Sequence, residues 1–541
     1  MDEHRGRAGD DAPDDPESRS GEEANDRGPL RHRLWRAVRA RVGIDPRALA
    51  AFRIALGIVL LVDLGLRARN LTVFYTDAGA FPRSALAEAS PLGARLSLHA
   101  LSGAVWPVAL LFLVAGVAAV ALAIGHRTRL ATAVSLLLLA SLQARNPFVL
   151  NAGDTLLWQL VAAGLFCPLG ARWSVDAVRD RPVPDEPARG DKDAGNDRFT
   201  GPASALLLAV VVVVYVANAV EKLRGTAWLD GEAVEQVFRL TYLHGPLGGQ
   251  LPEAPALFAA ATYGWLGVLV ASPLLVASAG RIRAALAGSL LAAHLSMALT
   301  LQIGVFSLIS ATSLLPFFPP FVWDRIEGIV GPTGARLGGW AESVLDGDRG
   351  DGDRADQATR ALSERTVRTL LGRPVGGRVV AVVATVLFAS LLAWNAIAVG
   401  VVDAPEPVAA TVDPAEHGWN MFAPNPSSTD ALLLATATTA DGDALDALYG
   451  DPVATDRPPS DARAYPTARW RKYLTLLADA EAPVRVDALL AHLCDRSEEL
   501  AGEPVASVTV SAVEIDVTEG GETRIRELGT RECRSEGIAD G

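Results

Sequence analysis

Long, uninterrupted apolar stretches constrain this chain more than any other feature. "ASALLLAVVVVVYVANAV" occupies residues 203–220 without a single charged side chain. A helix needs roughly 20 such residues to cross a ~30 Å hydrocarbon layer, because each residue rises only about 1.5 Å. Comparable runs lie near residues 47–67, 103–124, 128–145, 153–170, 255–279, 283–303, 304–323 and 378–402. Together with the first they predict about nine transmembrane helices, the fourth being the shortest. The fold class expected is therefore an all-α polytopic membrane domain, and the immediate partner is the lipid bilayer.

Orientation is set by the arginines, since short cytoplasmic flanks collect positive charge. "RHRLWRAVRAR" precedes the first run, which predicts a cytoplasmic N-terminus. With nine crossings the other inside flanks are 126–129 ("HRTR"), 171–181 ("ARWSVDAVRDR"), 280–283 ("GRIR") and 365–378 ("RTVRTLLGRPVGGR"), all basic. Dropping the fourth crossing would place the later arginine clusters outside. No secretory leader is evident before the first run, so that helix is expected to drive insertion itself. A multi-pass protein of the cell membrane results, with everything after about residue 403 extracytoplasmic.

The net charge of −13 has to be carried elsewhere, and it is. Acid gathers in Met1–Asp26, in "RDRPVPDEPARGDKDAGNDR" and in "LDGDRGDGDRADQ". Segments so poor in apolar residues cannot bury enough surface to fold, and disorder is expected there. Such acid-rich soluble parts, with arginine in place of lysine, are a composition of the haloarchaeal type. They also argue against a nucleic-acid partner, which would need a basic face. The organisation expected is a disordered tail with a basic juxtamembrane segment (1–44), a multi-span membrane domain (45–325), a cytoplasmic linker (326–377), a final transmembrane helix (378–402) and an extracytoplasmic domain (403–541).

That last domain reads as a small, separate α+β unit. "DALLLATATTADGDALDAL" has the alternation and Asp-Gly turn of a hairpin, and "ASVTVSAVEIDV" and "TRIREL" read as two further strands. Helices are expected at or just after "ARAYPTARWRKYLTLLADA" and at "PVRVDALLAHLCDRSEEL". Cys494 and Cys533 would share an oxidising compartment, where a disulfide between them is compatible with their spacing. Cys167 lies in an apolar run, the three cysteines have no metal-ligand spacing, and no metal is expected.

Lysine occurs at just three positions, Lys192, Lys222 and Lys472. Lys222 ends the fifth apolar run, on the outer side. It could be an anchor whose ammonium snorkels to the headgroups. In a chain that otherwise uses arginine, however, a lysine offers what arginine cannot, a proton that can be lost near neutral pH. The segment that begins at Lys222, "KLRGTAWLDGEAV", reads Lys-Leu-x-Gly-x-x-Trp-x-x-Gly-x-Ala. Trp228 suits an interface, and Gly225 and Gly231 allow a tight re-entry of the chain.

Other polar residues within or beside the runs have structural readings. Asp63 could pair with Arg67 one turn later. Asp154 is placed to cap the fourth span, and Asp77 to form an Asx-turn. His294, inside the seventh run, is either a satisfied polar group between helices or part of a site shared with Lys222.

At this point the sequence resembles a family, the HTTM domain shared with vitamin K-dependent γ-carboxylases. Besides the Lys222 segment, "FRIALGIVLLVDLGLRARNLTVFYTDAGAFP" is similar to its opening, with Arg53, Asp63, Tyr75, Asp77 and Pro82 at matching positions. "NAGDTLLWQLVAAGLFCPLGARWSVDA" and "AHLSMALTLQIGVFSLISATSLLPFFPPFVW" match its Gly-Asp span and its His-containing span. The likeness covers roughly residues 47–325, and departs at Ala219, where glycine is common, together with Asn218.

The resemblance implies that Lys222 is a catalytic base with His294, and that Asp63, Asp77, Arg53 and Asp154 support it. It also implies a reduced quinone (vitamin K- or menaquinol-like) as cofactor, O2 and CO2 as co-substrates, and a secreted or envelope protein as the substrate whose glutamate is carboxylated. Arg224 could act on Lys222 as a neighbouring positive charge. "HGWNMFAPNPSSTDALL" and "ARWRKYL" resemble segments that come after HTTM domains in microbial proteins of unassigned function. Trp419, Met421, Phe422 and Pro424 would then pack the outer domain onto the membrane face. The alternative is a non-catalytic membrane protein whose outside domain binds a partner or assists envelope assembly. Transport is weaker, since no inverted repeat is evident.

Overall fold

The computed structural model describes residues 35–179, 198–252, 254–329, 377–406, 418–453, 465–478, 483–517 and 522–533. The acidic tail, nearly all of the acidic loop near 180–197, and most of the 326–377 linker lie outside the described residues.

Among the described residues, each of the nine apolar runs contains a principal helix: α1 (Pro46–Ala68), α2 (Val105–Ile124), α3 (Thr128–Arg145), α4 (Ala152–Gly164), α5 (Pro202–Lys222), α6 (Pro255–Val270), α7 (Gly280–Thr300), α8 (Phe306–Leu314) and α9 (Gly377–Ala398). Their starts are locally encoded. Pro46 and Pro202 occupy first-turn positions where a missing N–H costs nothing, and the Asp45 carboxylate accepts from Arg47 N to cap α1.

Among the described residues, five of these helices (α1, α2, α5, α7 and α9) are long and apolar enough to cross a membrane. Counting the bent pair Phe306–Phe317 and Pro320–Ile329 as one span makes six, though its halves meet at 107°. The expected nine therefore reduces to five or six by length and composition, for identifiable reasons. Helix α3 carries Thr128, Thr132, Ser135, Ser141 and Arg145, all buried inside the protein. Helix α4 has 13 residues. Helix α6 ends at Val270, and Pro273 comes next as the cap of a separate short helix. Helix α8 ends at Leu314, just before Pro316.

The C-terminal region contains helices α10 (Ala468–Ala478) and α11 (Pro483–Ala501), and strands β1 (Thr429–Thr439), β2 (Ala444–Asp446), β3 (Val505–Asp516) and β4 (Thr523–Glu532). The sheet is antiparallel throughout, in the order β2-β1-β3-β4. Gly442, at φ +93°, makes the Asp-Gly turn of the β1–β2 hairpin, and register places Thr436 opposite both Asp446 and Thr509. A disulfide joins Cys494 on α11 to Cys533, just past β4.

This unit does not stand apart from the membrane domain. Trp470, Tyr473 and Leu474 of α10 share one hydrophobic cluster with Phe74, Tyr75 and Phe81, from the segments between α1 and α2. Phe74 meets the Trp470 ring edge-on at 4.9 Å, and the Tyr473 hydroxyl donates to Ala80 O at 2.8 Å. Aromatic burial of this kind dominates local packing energy, so α10 is effectively part of the membrane domain's wall.

Candidate functional site

Helix α5 ends in a face that presents Asn218 and Lys222 together, four residues apart and therefore stacked one turn above the other. Both reach the segment connecting α9 to β1. Asn218 Nδ2 donates to Trp419 O (3.0 Å) and Met421 O (3.3 Å). Lys222 Nζ donates to Met421 O (2.6 Å) and Phe422 O (3.4 Å). The ammonium lies 3.9 Å from the Trp228 ring centroid, a cation–π contact, and the Trp228 Nε1–H donates to Phe422 O at 2.8 Å. Lys222 is 2% exposed, so its nitrogen sits beneath a lid of main chain instead of among headgroups. Trp228, expected at an interface, is likewise buried.

The two glycines after Lys222 make this geometry possible. A Cβ on Gly225 would overlap the Pro424 carbonyl oxygen, and Gly231 has φ +84° with the Tyr263 ring packed against it. Thus the Lys-x-x-Gly-x-x-Trp-x-x-Gly spacing folds the chain back so that Trp228 roofs Lys222.

Lys222 also lines a cavity of about 640 Å³, bounded by α5, α6, α7, the start of α8 and the 421–422 backbone. Trp265, Phe306 and Phe258 supply aromatic walls. The buried His294 faces the same space; its Nε2 is 3.0 Å from the Tyr215 hydroxyl, and its Nδ1 has no hydrogen-bond partner among the described residues. Of the sequence candidates, then, Lys222 and His294 are brought to one cavity.

Asp63 and Asp154 belong to a different cluster. Arg67 donates to Asp63 (2.7 Å), to the Tyr75 hydroxyl (2.9 Å) and to Asp154. Arg469, from α10, completes the group with Asp63 at 2.5 Å and Asp154 at 3.3 Å. Two carboxylates and two guanidiniums are thereby buried with balanced charge. That balance is what makes them tolerable away from water. Asp154 is not itself the cap of α4. Asn151 caps the helix, and Asp154, at the third position, accepts from Asn151 N in return.

The remaining candidates lie elsewhere. Asp77 forms no Asx-turn of its own; it accepts from Arg83 N (2.9 Å) and Arg83 Nε (2.9 Å), six residues on. Burial opposes its ionisation, but the Arg83 bonds outweigh that and hold the carboxyl below its usual range. Arg53 is buried against Gly125 and donates to Trp173 O at 2.5 Å, with no bond to the Lys222 group. Arg224 turns away from Lys222 to pair with Glu221 (2.6 Å) and Val399 O (2.6 Å). Sequence reasoning did not single out Arg469, Arg471, Tyr215 or Trp265. The "ARWRKYL" pattern is the one sequence trace of the first two, and nothing in it says that they enter the membrane domain.

A family model described as HTTM domain matches residues 42–323 of the chain. No curated protein and no solved structure matches it. The matched region contains Lys222, His294, Asp63 and Asp154, whereas the Met421–Phe422 lid, Arg469 and Arg471 lie beyond its end.

Proposed function

The chain belongs to the HTTM family, and from that premise we propose that it is a membrane enzyme similar to the quinol-dependent γ-carboxylases, with Lys222 as its base. The observation that carries the reading is the placement of Lys222. Its nitrogen is buried at the wall of a large apolar cavity, and no carboxylate among the described residues bonds it. Losing its proton breaks no ion pair. An anchor would have its nitrogen in the headgroups.

A reduced quinone fits the residues that line the cavity. Its aromatic walls suit a flat apolar ring, and the unpartnered His294 Nδ1 offers a buried polar contact for a ring oxygen. Trp265 and Phe306 would hold the ring and His294 would orient it. When bound, the quinol would supply, with O2, the base strength needed to remove a glutamate γ-proton before CO2 adds. Lys222 would take the first proton at Nζ, with Met421 O and Phe422 O receiving its N–H groups and the Trp228 face excluding water. Asp63 and Asp154 act one step removed, through the ionic cluster that seats α10.

We also propose that the nine helices form nine crossings, with the N-terminus cytoplasmic and the C-terminal domain extracytoplasmic. Support comes from the basic flanks, which meet at one end: Arg41 donates to Ala277 O, Arg283 to Arg41 O and Arg198 to Ala40 O. Lys222 and the C-terminal domain occupy the other. Helices such as α4, most of whose residues are buried against protein, need not reach lipid-spanning length.

Replacing Lys222 with Arg tests the function. An anchor tolerates arginine and a base does not. Mass spectrometry of envelope proteins from cells with wild-type protein should show glutamate bearing the mass of CO2, lost by at least about 100-fold in Lys222→Arg. If no modification depends on the gene, the chain is instead a non-catalytic protein whose outer domain serves a partner.

A further inference from the structure

The same cavity contains a second cation that the proposed chemistry does not use. Arg471, on α10, lines it alongside Lys222. Its guanidinium has no hydrogen-bond or ion-pair partner among the described residues; Nη1 is buried and unsatisfied, and the group lies against the Tyr242 ring, 5.5 Å away. Its neighbour Arg469, two residues earlier, has two carboxylates. Asp430, which approaches Tyr242, is engaged by the Thr241 hydroxyl (2.5 Å) and Tyr242 N (3.3 Å). Among the described residues no aspartate or glutamate lines the cavity, although Lys222 and Arg471 do.

An unpaired guanidinium, half-buried against a mostly apolar wall, is costly unless something pairs with it. A guanidinium presents a planar fork that matches a carboxylate or phosphate oxygen pair. The rest of the wall is hydrocarbon and aromatic, and its lining includes Leu251 and Leu257, which are also exposed at the protein surface, at the start of α6. The cavity is therefore open beside apolar side chains that a bilayer would cover, the route by which a lipid-borne molecule arrives.

We infer that this cavity binds an amphiphile with a singly charged oxyanion headgroup, the headgroup on Arg471 and the apolar chain along the Trp265 and Phe306 walls. A fatty-acid carboxylate and a phospholipid phosphodiester share this chemistry. Binding concerns the same cavity as the carboxylase reading, but it holds whether or not Lys222 acts as a base.

The test uses the full chain in nanodiscs of phosphatidylcholine, whose zwitterionic headgroup masks its phosphodiester with a quaternary ammonium and carries no net charge; tryptophan fluorescence is the readout, because Trp228 and Trp265 line the cavity. Dibromostearate should quench saturably, and the corresponding dibrominated alcohol should not. Arg471→Leu should weaken the acid's binding by about tenfold or more, and Arg471→Lys should restore part of it. Lys222→Arg should retain binding, which separates this site from the loss of carboxylation. Competition by laurate identifies a free acid as the source, and competition by phosphatidylglycerol a lipid. Equal quenching by acid and alcohol in the wild-type protein, no saturable quenching by the acid, or unchanged affinity in a folded Arg471→Leu would each overturn the inference. The first two comparisons need no variant to fold.

Discussion

His99 shows what burial does to a single titratable side chain. It lies just before α2, is 1% exposed, contacts the Ser141 hydroxyl at 2.8 Å and leaves Nε2 unpartnered. Burial, with Arg67 and Arg145 nearby, pushes its pKa down to about 4. The unfolded chain would bind a proton on it near pH 6.5, where the folded chain would not. Its contribution to stability is therefore complete above pH 6.5, falls as pH drops from 6.5 to 4, and is constant below that. The full loss is on the order of 3 kcal/mol. Thermal melts of the purified protein across this range should show the decline, and His99→Gln should flatten it. Lys222 is a contrasting case. Its value lies in what surrounds its nitrogen: the Trp228 ring, six residues on, and Met421 O and Phe422 O from a distant part of the chain.

At the scale of the element, the turn after α5 and the lid over it are one device. At Gly225 the turn runs against the lid, and a methyl group there has no room beside the Pro424 carbonyl. Gly225→Ala should lift the lid at a cost of about 1–3 kcal/mol, the usual range for overpacking. The consequence is measurable at Lys222, since this chain has three lysines and peptide mapping distinguishes them. An amine-reactive reagent should modify Lys222 slowly in the wild-type protein and faster in Gly225→Ala. Unchanged labelling would mean that the lid does not shield the nitrogen. Helix lengths are also decided at this scale. Helix α3 buries polar side chains, α4 stops after 13 residues, and prolines interrupt the chain after α6 and α8.

For the whole molecule, the ionic cluster of Asp63, Arg67, Asp154 and Arg469 decides whether the C-terminal domain and the membrane domain are one body. Arg469→Met leaves two buried carboxylates facing one guanidinium and should destabilise the protein by about 3–5 kcal/mol. Adding Asp63→Asn restores the charge balance, and the double variant should recover a substantial part of that loss. A sum of two independent losses would show that the groups are not coupled. The sequence alone determined the membrane class, the helix starts, the strand hairpin and the Lys222 motif. Each depends on residues close together in the chain, where apolar runs, prolines, caps and turn glycines act locally. The pairing of Asp63 with Arg67, one helical turn apart, was legible for the same reason. The tertiary structure decided the lid over Lys222, the extension of the ion pair to Asp154 and Arg469, and the entry of Arg471 into the cavity. The Lys222 nitrogen bonds carbonyls about 200 residues away, and Asp63 meets an arginine more than 400 residues away. Main-chain carbonyls carry no sequence signature, and such contacts exist only where aromatic packing and the ionic cluster together hold α10 against the membrane domain.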